Sequence, residues 1–172
     1  MSSKLGQENR KSFEQILYSE SRLKPRAKNF FEYSVPMLAR AAETHRIRHI
    51  VSYSANLPEK YRTMLWEAQQ SHRFIILDER VPGVGPSSWS ELVDDEVEVD
   101  QIVGAYRLDD DDLLSKDFFD RMAFYVKEGF EGMWVSFAKG YTAVVEGDQI
   151  VSPRQLTQPK IAIGLTGIYR KT

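Results

Sequence analysis

Apolar residues along this chain switch between two spacings, and the switches divide it into short strands and longer helices. The contiguous run Ile16-Leu17-Tyr18 centres a first predicted strand, Phe13 to Ser19. Beyond it, Ala27, Phe30, Phe31, Met37, Leu38, Ala41 and Ala42 recur at helical spacing, marking one buried face of a helix that Pro25 opens. Pro36 falls inside that pattern, removes a backbone donor, and so predicts a kink or two shorter helices. Ile47 to Tyr53 is a second predicted strand. Asn56 is placed to cap the next helix, with Pro58 in its first turn, Glu59 three residues on, and Tyr61, Leu65 and Ala68 on its apolar side.

The same reading continues downstream. Phe74 to Leu77 predicts a short strand ended by Asp78-Glu79, and the Gly/Pro/Ser-rich segment from Val81 to Ser90 predicts a loop. Val103 to Leu108 predicts a strand, followed by a helix capped by Ser115 with Phe118, Phe119, Met122, Tyr125 and Val126 inward. After Gly132 the pattern turns to strands alone: Met133 to Phe137, Tyr141 to Val145, Gln149 to Val151, and Ile161 to Leu165. Strands alternating with helices imply an α/β fold with an open, mixed but mostly parallel sheet flanked by helices, and a hairpin-rich C-terminal part. The expected organisation is a flexible segment over 1–12 and a single domain over 13–172.

Composition narrows the function classes. The chain of 172 residues has a net charge of −2, which argues against nucleic-acid binding as its main task. It has no cysteine, which excludes a disulfide scaffold, a thiol nucleophile and a thiolate metal site. Met1 to Ser12 is polar, with no signal-peptide core, and no apolar run approaches the ~20 residues of a membrane span. A cytoplasmic location is expected.

The candidate chemistry sits at the end of the Val103 to Leu108 strand. There Asp109, Asp110, Asp111 and Asp112 stand in a row between Leu108 and Leu113-Leu114. Adjacent carboxylates repel by ~1–4 kcal/mol per pair in water-like to surface-like dielectrics, and a hard cation such as Mg²⁺ or Mn²⁺ offsets that. In open α/β sheets ligands bind outside the carboxyl ends of the strands, which is where this run falls. Three readings are open: a D-x-D metal-diphosphate site of Asp109 and Asp111 with Asp112 alongside, a solvated acidic cluster opening a helix, and an aspartyl nucleophile as in a phosphatase. No EF-hand fits, because the glycine and glutamate of that loop are missing.

Two basic features accompany the run. Arg107 precedes it and either pairs with a carboxylate or reaches a diphosphate. Arg22 and Arg26 flank the predicted start of the first helix, where two readings are open: an anion site made by cations and helix amides, with Ser19 and Ser21 adding hydroxyls, and ordinary surface charge. His45, His49 and His72 show no ligand spacing, and no G-x-S-x-G, G-x-G-x-x-G or P-loop is present.

The stretch Tyr106-Arg107-Leu108-Asp109-Asp110-Asp111-Asp112-Leu113-Leu114, followed by Asp117-Phe118, resembles the signature of the bacterial putative rhamnosyltransferase family, glycosyltransferases of the GT-A fold. Arg26 with Phe30-Phe31 and Val35-Pro36-Met37-Leu38, Ser52 to Pro58, Phe74 to Pro82, and Phe137-Ala138-Lys139-Gly140-Tyr141 are similar to further segments of it. The resemblance implies a GT-A-like catalytic domain that moves a sugar from a nucleotide-sugar donor to a glycan or other hydroxyl acceptor with Mn²⁺ or Mg²⁺. It implies Asp109 near the donor ribose or a metal-bound water, Asp111 as metal ligand, and Asp112 as support for the metal or donor sugar. Arg22, Arg26 and Arg107 join Asp109 as expected donor-binding residues. The acceptor side is short. Asp117, Glu131, Glu146 and Asp148 are the acids after the run, and none matches a general-base motif. The alternatives are a nonenzymatic nucleotide-sugar-binding module on the same fold and a phosphatase-like hydrolase.

Overall fold

The computed structural model describes residues 14–81, 89–92, 97–146 and 149–172. The expected flexible segment 1–12, Phe13, most of the Gly/Pro/Ser loop, the Trp89 side chain and Asp148 lie outside them. The chain divides into two compact units, Met1–Asp94 and Asp95–Thr172.

The first unit opens on helix, not strand. Residues 14–17 are helical, with the Tyr18 amide donating to the Glu14 carbonyl at 3.0 Å. A short apolar run has no period of its own, so it fits a helical turn as well as a strand. Helix α1, Glu20–Asn29, starts five residues before Pro25, which lies inside it. Ser19 in extended conformation precedes it and Glu20 stands in its first turn, where a carboxylate complements the helix dipole. Glu20 accepts from Lys60 Nζ at 2.7 Å and Tyr61 Oη at 2.8 Å, and these hydrogen bonds hold its carboxyl below the usual range.

Around Pro36 the helical stretch divides into shorter segments, one of the two outcomes expected. A π-helical turn, Phe30–Ser34, leads into α2, Val35–Ala42, with Pro36 in the first turn of α2. The wider turn accommodates the missing donor and the proline ring while the apolar face carries through. Leu23, Phe30, Val35 and Leu38 stay buried along it, Leu38 completely.

Strand β1, His49–Ser54, helix α3, Glu59–Ser71, and strand β2, Ile75–Arg80, make one parallel β-α-β unit, in register from His49↔Ile75 to Ser54↔Arg80. Pro58, not Asn56, occupies the cap position of α3, because the Asn56 amide donates to Ser54 Oγ at 3.1 Å in the preceding turn. Tyr61 and Leu65, one helical turn apart, bury the inner face of α3. Asp78 and Glu79 lie within β2 rather than beyond it.

His49 opens β1 with 8% of its surface exposed, its ring stacked on Phe30 at 6.0 Å between centroids. Burial lowers its pKa to about 4, so the folded protein holds it neutral. An unfolded histidine takes a proton near pH 6.5. Between about pH 6.5 and 4 the unfolded state therefore binds more protons, and stability falls as pH falls, by up to ~1.4 kcal/mol per pH unit. Urea unfolding across that window should show this slope, and His49→Gln should flatten it. Parallel slopes for the two proteins would remove His49 as the cause.

The second unit begins with strand β3, Ile102–Tyr106. Helix α4, Phe118–Ala123, a 3-10 turn, Glu128–Phe130, and the short strand β4, Trp134–Val135, follow. Strands β5, Lys139–Glu146, and β6, Gln149–Thr157, form a hairpin with an irregularity between Thr142 and Val144, as the C-terminal pattern predicted. The last strand, β7, Thr166–Arg170, lies one step beyond the predicted Ile161 to Leu165.

The fold is α/β, but a mostly parallel sheet does not form among the described residues. β1 and β2 are parallel; the second sheet has the order β3-β7-β4, with both neighbours antiparallel to β7. β3 and β4 thus keep a common direction, as alternation with a helix predicts, but β7 inserts between them. Periodicity identifies a strand and its faces; it does not name a partner that arrives about thirty residues after β4 and sixty after β3. Leu114, Phe118, Met122 and Ile168 make the core of this unit.

Candidate functional site

The acidic run hangs from the end of β3 and is built from its backbone outward. Pairing with β7 continues one residue past the strand, with the Arg107 amide donating to the Leu165 carbonyl at 3.1 Å. Gly164 then donates its amide to the Arg107 carbonyl at 2.8 Å. Leu108 is thus outside the strand, and the chain turns at once. The Asp112 amide donates to the Asp109 carbonyl at 3.1 Å, closing a four-residue turn that contains all four acids.

Arg107 reaches forward over this turn. Its Nε lies 3.2 Å from Asp109 Oδ1 and its Nη2 3.1 Å from Asp109 Oδ2, a two-point grip on the first carboxylate. The hydrogen bonds and charge of Asp109, and the charge of Asp112, raise the guanidinium's pKa. Of the two roles open to Arg107, the structure holds the pairing with a carboxylate. This grip fixes Asp109 and relieves part of the repulsion in the run.

The far side of the turn is anchored in the core. Leu113 is exposed while Leu114 is buried beside Gly164. Helix α4 begins at Phe118 with Asp117, not Ser115, in the cap position. Ser115 still serves the helix start: its carbonyl accepts from the Phe118 amide at 3.0 Å, and its hydroxyl bond holds the Asp117 carboxyl below the usual range. Phe118 packs edge-on against Phe119 at 5.1 Å and Phe137 at 5.7 Å, and against Tyr106 at 6.3 Å. Strand end, turn and helix start are thus tied to one aromatic cluster.

Arg22 and Arg26, in the first unit, lie inside α1 rather than before a helix that Pro25 opens. Arg22 Nη1 donates to the Leu17 carbonyl at 3.0 Å, and Arg26 stands towards the C-terminal end of α1, where a cation complements the helix dipole. Ser19 donates to the Ile16 carbonyl at 2.8 Å, and Ser21 to Ser19 Oγ at 3.2 Å. These hydroxyls serve the local turn.

Among the described residues no group of three or more His, Asp or Glu side chains that could hold a metal ion comes together. The turn offers hard carboxylate oxygens, with Asp109 gripped by Arg107.

Over residues 4–172 the chain matches the family model described as putative rhamnosyl transferase. The chain belongs to this family. No curated protein and no solved structure matches it. The span shared with the rhamnosyl transferase family takes in the acidic turn and both arginines of α1.

Within this rhamnosyl transferase family member, Ser52 to Ser54 and Asp78-Glu79 are readable as strand ends that could share a ligand crevice, but two features are not readable from the sequence: the way these residues pair, and Gly164. One is a cross-strand cluster near the carboxyl ends of β1 and β2. Ser52 Oγ donates to Asp78 Oδ2 at 2.9 Å, Arg80 pairs with Asp78, and Tyr53 Oη donates to Glu79 Oε2 at 3.0 Å. Asp78 is 5% exposed, which only such partners make tolerable. Register brings these pairs together, Ser52↔Asp78 and Tyr53↔Glu79, and no spacing within one segment announces it. The other is Gly164, whose signal is one glycine in an apolar run.

Two of the acids considered as bases have other duties. Asp117, already a weakened base, faces Arg121 Nη1 at 4.0 Å, and Glu131 Oε2 takes Arg170 Nε at 3.0 Å and Nη2 at 2.8 Å. Glu146 ends β5, exposed to solvent. No helix among the described residues is long and apolar enough to cross a membrane.

Proposed function

We propose that the protein is a metal-dependent glycosyltransferase of the GT-A kind, moving a sugar from a nucleotide-sugar donor to a saccharide or other hydroxyl acceptor. The observation that carries this reading is the acidic turn at the end of β3, closed by the Asp112-to-Asp109 bond and gripped by Arg107. Membership in a family named for rhamnosyl transfer supports it. In this reading Asp111 and Asp112 hold the divalent cation, which neutralises charge developing on the leaving diphosphate. Asp109, oriented by Arg107, faces the donor ribose or a metal-bound water. Arg107, beside the run, adds positive charge of the kind that a diphosphate needs.

Titration calorimetry with Mn²⁺ plus UDP, GDP or dTDP tests this. At least one nucleotide should bind the parent in a Mn²⁺-dependent way, and Asp111→Ala should weaken it at least tenfold, ~1.4 kcal/mol. Equal binding by Asp111→Ala would overturn the metal assignment. Donor hydrolysis that requires Mn²⁺ supports an enzyme; binding without turnover across plausible acceptors supports a binding module instead. Phosphate release from generic phosphoesters through an aspartyl-phosphate would replace both with a hydrolase.

A further inference from the structure

The β5-β6 hairpin stands as a sheet of two strands, and no third strand joins it among the described residues. Lys139 to Val144 and Glu146 of β5 are all exposed. Tyr141 keeps 77% of its surface in solvent and Val144 55%, and Ile150 on β6 keeps 68%. A lone two-stranded hairpin is marginal in water, and further strands along its edges stabilise it.

The two outer edges differ. In β6, Ser152 and Pro153 together oppose Ala143, because the register steps from Thr142↔Arg154 to Val144↔Val151. Ser152 has φ of +50°, and Pro153 has no amide to donate. A bulge and a proline blunt an edge against further pairing. β5 carries neither, and the residues between Lys139 and Glu146 are uncharged and mostly β-prone. Its backbone is also set for a new neighbour. The Gln158 amide donates to the Ala138 carbonyl at 2.8 Å, one step beyond the Lys139↔Thr157 pair. Hydrogen-bonded and non-hydrogen-bonded pairs alternate along an antiparallel ladder. Gly140 and Thr142 therefore turn their amides and carbonyls to β6, while Lys139, Tyr141 and Ala143 turn theirs to the outer edge.

We infer that the outer edge of β5 docks β5 of a second copy of this chain, antiparallel, about a two-fold axis at Thr142. Charge selects this occupant. The strand begins at Lys139 and ends at Glu146, so antiparallel self-pairing sets each basic end beside the partner's acidic end. A parallel copy would align like charges instead. In this register the outward groups of Tyr141 meet those of the partner's Ala143, and the Tyr141 ring lies over a residue small enough to accept it. Ile150 stands opposite Val145, on the same face as Tyr141, and extends the apolar surface so formed. The product is one sheet of the order β6-β5-β5-β6, closed because the blunted β6 strands lie outside. The hairpin belongs to the second unit, and this pairing stands whether or not the glycosyltransferase reading does.

Sedimentation velocity over a concentration series reads the association. The parent should form a dimer. Ala143→Pro removes one outward donor and none that serves β6, and should weaken the dimer at least tenfold. Tyr141→Lys leaves every backbone donor in place and should do the same through charge, so the test does not depend on how the proline is tolerated. Circular dichroism should stay unchanged in both. The chain has no cysteine, so a single introduced thiol reports position. Thr142→Cys should give a disulfide-linked dimer with copper phenanthroline as oxidant, since a non-hydrogen-bonded antiparallel pair brings Cα atoms to about 4.5 Å, within disulfide reach. Arg154→Cys, opposite Thr142 on the blunted strand, should not. A parent that stays monomeric, variants that dimerise as well as the parent, or cross-linking through position 154 rather than 142 would each overturn the pairing.

Discussion

Replacing Gly164 with alanine should cost roughly 2–5 kcal/mol and loosen the acidic turn. Gly164 has φ of +67°, where a side chain costs ~1–2 kcal/mol by itself. A Cβ there would sit 2.5 Å from Phe118 Cε2 and 2.9 Å from Leu114 Cδ2. Both neighbours are buried, so neither can swing aside into solvent, and overpacking of this kind costs ~1–3 kcal/mol more. The damage is directed, because Gly164 also donates its amide to the Arg107 carbonyl, and Leu114 and Phe118 bracket the far side of the same turn. Urea unfolding gives the stability loss, and Mn²⁺-nucleotide titration should show weaker binding by the folded variant. Gly140→Ala is the control, since a Cβ at Gly140 meets nothing within 4 Å. If the two variants were within ~0.5 kcal/mol of each other, the ordinary range for surface changes, Gly164 would not be the hinge on which the turn rests.

What the sequence makes legible here is local. The helix across Phe30 to Ala42, the strands at His49–Ser54 and Ile102–Tyr106 and the β5-β6 hairpin all follow from spacing within one segment. The acidic run was placed correctly at a strand's end because four consecutive acids cannot lie in a buried strand. The misses share a different origin. Ile16-Leu17-Tyr18 is too short to have a period, so a helical turn passed for a strand. Pro25 reads as a helix start because proline favours the first turn, whereas α1 keeps it inside, five residues before the π-helical turn that precedes Pro36.

Partnership between distant segments was the part that could not be read. The insertion of β7 between β3 and β4 and the Ser52–Asp78 bond both depend on register between residues at least 25 apart in sequence.

The other large effect belongs to Phe118. Phe118→Ala should destabilise the protein by ~3–5 kcal/mol, the usual cost of removing a buried aromatic ring and leaving a cavity. Phe118 is 4% exposed and meets the rings of Tyr106, Phe119 and Phe137 as well as the backbone at Gly164. Tyr106 ends β3 and Phe137 follows β4, so one ring joins both outer strands of the sheet to the first residue of α4. Phe118→Leu keeps most of the volume and should cost less than ~1.5 kcal/mol. Hydrogen exchange separates general from local damage. In Phe118→Ala the amides of Arg107 and Gly164, bonded across the base of the turn, should lose protection along with those of β3. In Phe118→Leu they should keep it. A loss below ~1 kcal/mol for the alanine variant, with those amides still protected, would mean the acidic turn stands on β7 alone. The expected result instead makes the aromatic cluster the foundation of the turn. The electrostatic cost of four neighbouring acids is then met twice, by Arg107 gripping Asp109 from above and by a core rigid enough to hold the carboxylates in a fixed array.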